Sequence, residues 1–226
     1  LVQANVALDV SDRAVEILRR SAPQAQVGIT LNLDHVYAVG DDDEDGAAAN
    51  WVDGLHNRWF LDPIFKGAYP ADMVEAWRDL LPEMQDGDLE TISAPIDFLG
   101  VNNYTSPLVA ADTDGGRSRI VQRADVDRTD MGWEVVPEGL RDLLLRLHRD
   151  YAPKAIYVTE NGAAFPDVRS HDGSVGDAER QAYLEAYIGA AAEAVAAGVP
   201  LRGYFAWSLL DNFEWAWGYW KRFGLV

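Results

Sequence analysis

The run Ala155-Ile156-Tyr157-Val158-Thr159-Glu160-Asn161-Gly162 is a short apolar strand that ends on a carboxylate flanked by Thr, Asn and Gly. This places Glu160 at the C-terminal tip of a predicted strand. In parallel α/β barrels the loops at such tips surround a cleft, while the strand fixes the position of each side chain. A carboxylate held there can act as a nucleophile, a base or a metal ligand. Taken alone, Thr159-Glu160-Asn161-Gly162 fits an exposed Glu at the start of a turn equally well, because a tetrapeptide carries little information.

The second cluster of chemically able residues is C-terminal. It runs Tyr204-Phe205-Ala206-Trp207-Ser208-Leu209-Leu210-Asp211-Asn212-Phe213-Glu214-Trp215-Ala216-Trp217-Gly218-Tyr219 and continues into Lys221-Arg222-Phe223-Gly224-Leu225. A carboxylate can accept hydrogen bonds from two adjacent donors, and a planar indole can cover an apolar surface. Any one of these tryptophans alone would more often fill a core. Their joint spacing around Glu214 favours a pocket.

A third segment, Asp97-Phe98-Leu99-Gly100-Val101-Asn102-Asn103-Tyr104, ends on another polar tip. The three segments together resemble glycoside hydrolase family 1, the β-glucosidase family. Gly54-Leu55-His56-Asn57-Arg58-Trp59-Phe60-Leu61-Asp62-Pro63 and Met131-Gly132-Trp133-Glu134-Val135-Val136-Pro137-Glu138-Gly139-Leu140 extend the resemblance along essentially the whole chain, in the family's order.

The resemblance implies a retaining β-glucosidase that hydrolyses terminal non-reducing β-D-glucosyl residues by double displacement. Glu160 matches the nucleophile. Tyr104 matches the tyrosine that donates to it, and Asn102 the asparagine on the same tip. Glu214 matches the acceptor of sugar hydroxyls remote from the anomeric centre, with Trp207 and Trp215 beside the ring and Phe223 near the pocket wall. Trp133 matches the tryptophan lining the leaving-group subsite. Relatives acting on 6-phosphoglycosides place a small residue where this chain has Glu214, so an unphosphorylated substrate is implied, a β-glucoside or short β-linked glucan. Galactose or fucose would be tolerated in place of glucose.

Retaining glycosidases pair two carboxyl groups about 5–5.5 Å apart. In this family the general acid lies at the end of strand four in an Asn-Glu-Pro motif, which these 226 residues do not contain. Two other readings follow. The chain by itself is a catalytically incompetent half-barrel that binds sugar or serves as a folding module. Alternatively, it comes from a thioglucosidase-type relative whose acid is replaced by an amide.

The elements that must position these residues alternate between strand and helix. Strands are expected at Val27 to Leu33, Ile96 to Asn102, Ala155 to Thr159 and Leu201 to Trp207. Helices are expected at Ser11 to Arg20, Ala71 to Leu81, Pro137 to Arg149 and Asp177 to Ala197. This alternation predicts parallel pairing with right-handed crossovers, an α/β fold. A closed TIM (β/α)8 barrel needs eight strands. The expectation is therefore that residues 1–226 are the C-terminal half of a single barrel domain, strands five to eight, with the N-terminal half and the extreme C-terminus absent. That N-terminal half is the expected protein partner.

Between the strands, Val39 to Asn50 reads as a solvated acidic turn, since consecutive carboxylates lack the spacing of a calcium loop. Ala111 to Asp130 reads as a long loop near the cleft mouth.

With 48% apolar residues the chain can bury a sizeable core. A formal net charge of −18 argues against nucleic acid and anionic membranes as partners, and a neutral sugar is indifferent to it. The chain has no Cys, which excludes disulfides and thiol catalysis and fits a cytoplasmic location. No transmembrane run, nucleotide fingerprint or metal-ligand spacing stands out, so no metal or cofactor is expected. His35, His56, His148 and His171 are scattered, and His56 reads as structural.

Overall fold

The computed structural model describes residues 14–226. Residues 14–21 are helical (α1), and the start of the helix expected from Ser11 lies outside the described residues. There follow β1 (Gly28–Asn32), β2 (Tyr37–Ala38), α2 (Asp43–Asp53), a π-helical turn (Gly54–Arg58), α3 (Trp59–Lys66), α4 (Ala71–Ala76) and α5 (Asp88–Ile92). The chain continues through β3 (Phe98–Asn102), β4 (Leu108–Ala110), β5 (Arg119–Val121), α6 (Pro137–Tyr151), β6 (Ile156–Asn161), α7 (Ala178–Ala196) and β7 (Leu201–Ala206).

Four strands, in the order β1-β3-β6-β7, form one sheet in which every neighbouring pair is parallel. Helices occupy each crossover, as parallel pairing requires. These are the four strands expected from the sequence, with ends shifted by a residue or two. A second sheet joins β2 parallel to β4, and β4 antiparallel to β5.

Alternation along the strands separates two faces. Leu99, Val101, Ile156 and Val158 are fully buried against helices. On α6 the facing residues are Leu140, Leu143, Leu144 and Leu147, an i, i+3, i+4, i+7 stripe. Each such leucine contributes roughly 1.5–3 kcal/mol by leaving water. On α7, Tyr183 and Tyr187 stack with centroids 4.2 Å apart, and Ala191 and Ala194 let the helix approach closely. The other face of the sheet carries Phe98 and Tyr157, edge to face at 5.3 Å, and Phe205, which is 56% exposed.

Three segments differ from expectation. The acidic run is not a turn: Asp43, Glu44 and Asp45 form the first turn of α2. Asp42 caps it by accepting from the Asp45 N–H at 2.8 Å, and carboxylates at a helix N-terminus are favoured by its positive end. Asp45 also accepts from the Ala111 N–H at 2.7 Å, which ties α2 to the end of β4. Within the expected loop Ala111 to Asp130, Arg119–Val121 pairs with β4 as a hairpin strand. The helix expected over Ala71 to Leu81 breaks at Trp77 and finishes as a 3-10 turn, Arg78–Leu80.

The junction of α2, the π turn and α3 reaches the tip of β1 through Asn57, which is fully buried. Its amide donates to the Asp34 carbonyl at 2.8 Å and to Asp53 at 2.7 Å, and accepts from the Asp34 N–H at 3.1 Å. His56 lies beside the same tip, with Nδ1 3.7 Å from Asp34 Oδ2. Among the described residues, no helix is long and apolar enough to cross a membrane.

Candidate active site

Strict alternation along β6 would send Glu160 to the helix side with Ile156 and Val158. The register instead slips: Val101 pairs with Val158, and the next residue, Asn102, pairs with Glu160. Thr159 is the extra residue of a bulge, and a bulge re-aims the side chains that follow it. Glu160 therefore turns to the cleft, and Asn161 turns inward. Asn161 is fully buried, donating to the Asn103 carbonyl at 2.8 Å and to the Tyr183 hydroxyl at 3.1 Å, while accepting from Tyr204. These hydrogen bonds knit the tips of β3, β6 and β7 together behind Glu160.

At the tip of β3 the Tyr104 hydroxyl donates to Glu160 Oε2 at 2.7 Å. Burial, reinforced by that hydrogen bond and by the charges of Glu160 and Glu214, raises the Tyr104 phenol far above its ordinary value. It remains a donor. Glu160 itself lines the cleft beside this contact.

A cavity of about 380 Å³ opens over this pair. Its walls include Trp133, Trp207, Glu214, Trp215 and Phe223. Tyr104, Trp133 and Phe223 form a triangle of rings with centroids 5.4, 6.5 and 6.1 Å apart. All the expected site residues line this cavity except Asn102. The Asn102 amide oxygen accepts from the Thr159 hydroxyl at 2.7 Å, directly beside Glu160. Trp215 is 83% exposed at the rim, with a left-handed backbone (φ 44°) inside the Glu214–Gly218 turn.

Each wall has its own support. Trp133 sits on a loop fixed by Glu134, whose carboxylate accepts from Arg123 at 2.6 Å and Arg128 at 3.0 Å. Burial would raise the Glu134 carboxyl, but the hydrogen bonds from Arg123 and Arg128 outweigh it and hold the group below its ordinary range. Lys221 ties that loop to the C-terminal segment, its Nζ 3.1 Å from Asp130 Oδ2. Phe223 is held from behind by Arg180 on α7, 2% exposed, which donates to the Arg222 carbonyl at 2.7 Å and to the Ala163 carbonyl at 3.3 Å.

The sequence reading missed Asn212 and Phe213, which also line the cavity, and Arg180, which braces it. Asn212 sits in a polar stretch that reads as turn. A lone Arg on a helix carries no signal of burial. Among the described residues, no cluster of His, Cys, Asp and Glu is arranged to hold a metal.

Two carboxylates, Glu160 on a parallel strand tip and Glu214 on the C-terminal segment, line one cavity together with Trp133, Trp207 and Trp215. The model of glycosyl hydrolase family 1 matches residues 3–226, and the chain belongs to that family. Beta-glucosidase A of Thermotoga maritima is 44% identical over 215 residues, covering 95% of this chain and 48% of its own length. Beta-glucosidase A of Acetivibrio thermocellus is 43% identical over 95% of this chain. The structure of the Thermotoga maritima β-glucosidase in complex with deoxynojirimycin superposes with a TM-score of 0.94 at 44% identity, over 99% of this chain and 50% of that one. The chain thus spans about half the length of the relatives it matches, and its four-stranded sheet corresponds to half of their TIM barrel.

Proposed function

We propose that the protein is a retaining β-glucosidase in which Glu160 is the nucleophile. The observation that carries this reading is the 2.7 Å hydrogen bond from Tyr104 to Glu160 on the floor of a tryptophan-walled cavity. In the first displacement Glu160 Oε1 forms a bond to the anomeric carbon as the bond to the aglycone oxygen breaks. The departing oxygen takes a proton from an acid/base Glu outside these residues. In the second displacement that residue, now a base, removes a proton from water, which attacks the anomeric carbon and releases Glu160.

Tyr104 holds the carboxylate in line for attack. Its hydrogen bond to an ester oxygen is weaker than to a carboxylate, so the contact favours return of the free nucleophile in the second step. Glu214 accepts from the remote sugar hydroxyls, Trp207 and Trp215 cover the ring, Phe223 closes the wall and Trp133 lines the leaving-group side. Asn102, whose amide oxygen accepts from Thr159, stands beside Glu160 and off the cavity wall. A carboxylate at Glu214 repels a 6-phosphate, so the substrate is a neutral β-glucoside or short β-linked glucan. Several relatives carry the name β-glucosidase, which supports this substrate class.

The active unit is an eight-stranded barrel to which four further strands contribute from outside these residues. Among the described residues, β1 and β7 each pair on one side, and the face bearing Phe98, Tyr157 and Phe205 has no helical cover. Strand edges and aromatic faces of this kind are ordinarily covered in a stable protein. The whole reading is tested by Glu160→Gln in the complete protein. Hydrolysis of an aryl β-glucoside should fall by at least about 10³-fold, and ordinary turnover would remove Glu160 from the role.

A further inference from the structure

We infer that Asn212 is a positioning residue for Glu214, holding its carboxylate in one orientation and thereby setting the enzyme's preference among sugars. This rests on the reading above, that Glu214 accepts from the remote sugar hydroxyls.

Asn212 Nδ2 donates to Glu214 Oε2 at 2.7 Å, and both residues line the cavity over Glu160. The Glu214 backbone is already fixed, its N–H donating to the Gly218 carbonyl at 2.7 Å and its carbonyl accepting from the Trp217 N–H at 2.8 Å. Backbone bonds do not fix the three side-chain torsions of a glutamate. Among the described residues, Asn212 supplies the one hydrogen bond that does.

The amide itself cannot turn over, because its oxygen would then face a carboxylate oxygen. Asn212 Oδ1 is buried and has no hydrogen-bond partner among the described residues, so the amide's side-chain bonding is directed at Glu214. Its neighbour anchors the segment: Asp211 Oδ1 accepts from the Gly224 N–H at 2.9 Å, and Oδ2 lies 3.1 Å from Arg222. Asn212 is thus carried on the same fixed segment that presents Phe223. With Oε2 occupied, Oε1 of Glu214 is left in a defined place, and two hydroxyls meet it at a set angle. Without Asn212 the carboxylate samples several rotamers, and the difference between an equatorial and an axial hydroxyl is blurred.

The test measures kcat/KM for an aryl β-glucoside and the matching aryl β-fucoside in the complete protein carrying Asn212→Ala, Asn212→Asp, Glu214→Ala or both alanines. Asn212→Asp keeps the side chain's shape, and thermal unfolding is recorded for each variant. Asn212→Ala should move the glucoside/fucoside ratio in the same direction as Glu214→Ala, by about tenfold, the size of one charge-assisted hydrogen bond. The double variant should add little to Glu214→Ala, because Asn212 acts through that residue. Asn212→Asp should be impaired where both carboxyls are ionised and should regain preference as pH falls and one proton is shared between them. A structural role alone does not predict that pH dependence.

If Glu214→Ala shifts the ratio and Asn212→Ala does not, the inference fails while the role of Glu214 stands. A flat pH dependence of the ratio in Asn212→Asp also overturns it. If Glu214→Ala itself leaves the ratio unchanged, the underlying reading of Glu214 fails.

Discussion

Gly162 and Trp207 are in direct backbone contact across the tips of β6 and β7: a Cβ on Gly162 would stand 1.8 Å from the Trp207 carbonyl oxygen. The Trp207 N–H donates to the Asn161 carbonyl at 2.9 Å, so the two tips are sewn together at the point where the first leaves Glu160 and the second enters the pocket wall. Packing therefore requires a glycine at position 162, two residues beyond Glu160.

Gly162→Ala is therefore expected to push Trp207 off the cavity wall and to destabilise the fold by about 1–3 kcal/mol, the usual cost of overpacking. Urea unfolding and the KM for an aryl β-glucoside should change together. A variant with unchanged stability and KM would show that the two tips move apart without consequence.

Tyr104→Phe removes one hydrogen bond to a carboxylate and leaves the ring between Trp133 and Phe223 in place. Such a bond is worth roughly 1.5–3 kcal/mol, so kcat should fall by about 10- to 100-fold. The melting temperature should move little. An unaltered kcat would mean that Tyr104 does not support Glu160 during turnover.

A pH effect is expected far from the cleft. Arg58 donates to both oxygens of Asp72, at 2.8 and 2.7 Å, and Asn50 to one of them at 3.1 Å. The Arg58 hydrogen bonds hold the Asp72 carboxyl at about 2, against an unfolded value of about 3.9. A depressed carboxyl stabilises the fold above the unfolded value and loses that contribution as pH falls through the folded one. The stability gap between wild type and Asp72→Asn should thus close between about pH 4 and pH 2. With Asp72 nearly half exposed, the gap should be roughly 1 kcal/mol or less, read by urea unfolding at stepped pH. A gap that does not vary with pH would contradict the ion pair.

The legible parts of the fold were those set by local pattern. The four sheet strands are apolar runs bounded by polar tips, and α6 shows its Leu140-Leu143-Leu144-Leu147 stripe in the sequence. The acidic run resembles a solvated turn because Asp42 to Asp45 are consecutive carboxylates, and the helix that Asp42 caps continues through the small residues Gly46 to Ala49 before its larger apolar residues Trp51 and Val52. The hairpin strand Arg119–Val121 is short and exposed, and its pairing with β4 is not a local property. At the site, the resemblance to glycoside hydrolase family 1 pointed to Glu160, Tyr104 and Glu214. The bulge at Thr159 that turns Glu160 into the cleft depends on register with β3, and the roles of Asn212 and Arg180 depend on contacts with distant segments.

The central claim is that Glu160 attacks the sugar. The most direct measurement is mass spectrometry of proteolytic peptides after the complete protein has been inactivated with a 2-deoxy-2-fluoro-β-glucoside bearing a good leaving group. The fluorine slows both displacements by destabilising the oxocarbenium-like transition state, and the reactive leaving group lets the covalent intermediate accumulate. The account predicts one fluoroglucosyl group on the peptide containing Glu160. A label on the Glu214 peptide or elsewhere, or inactivation that persists in Glu160→Gln, would contradict it.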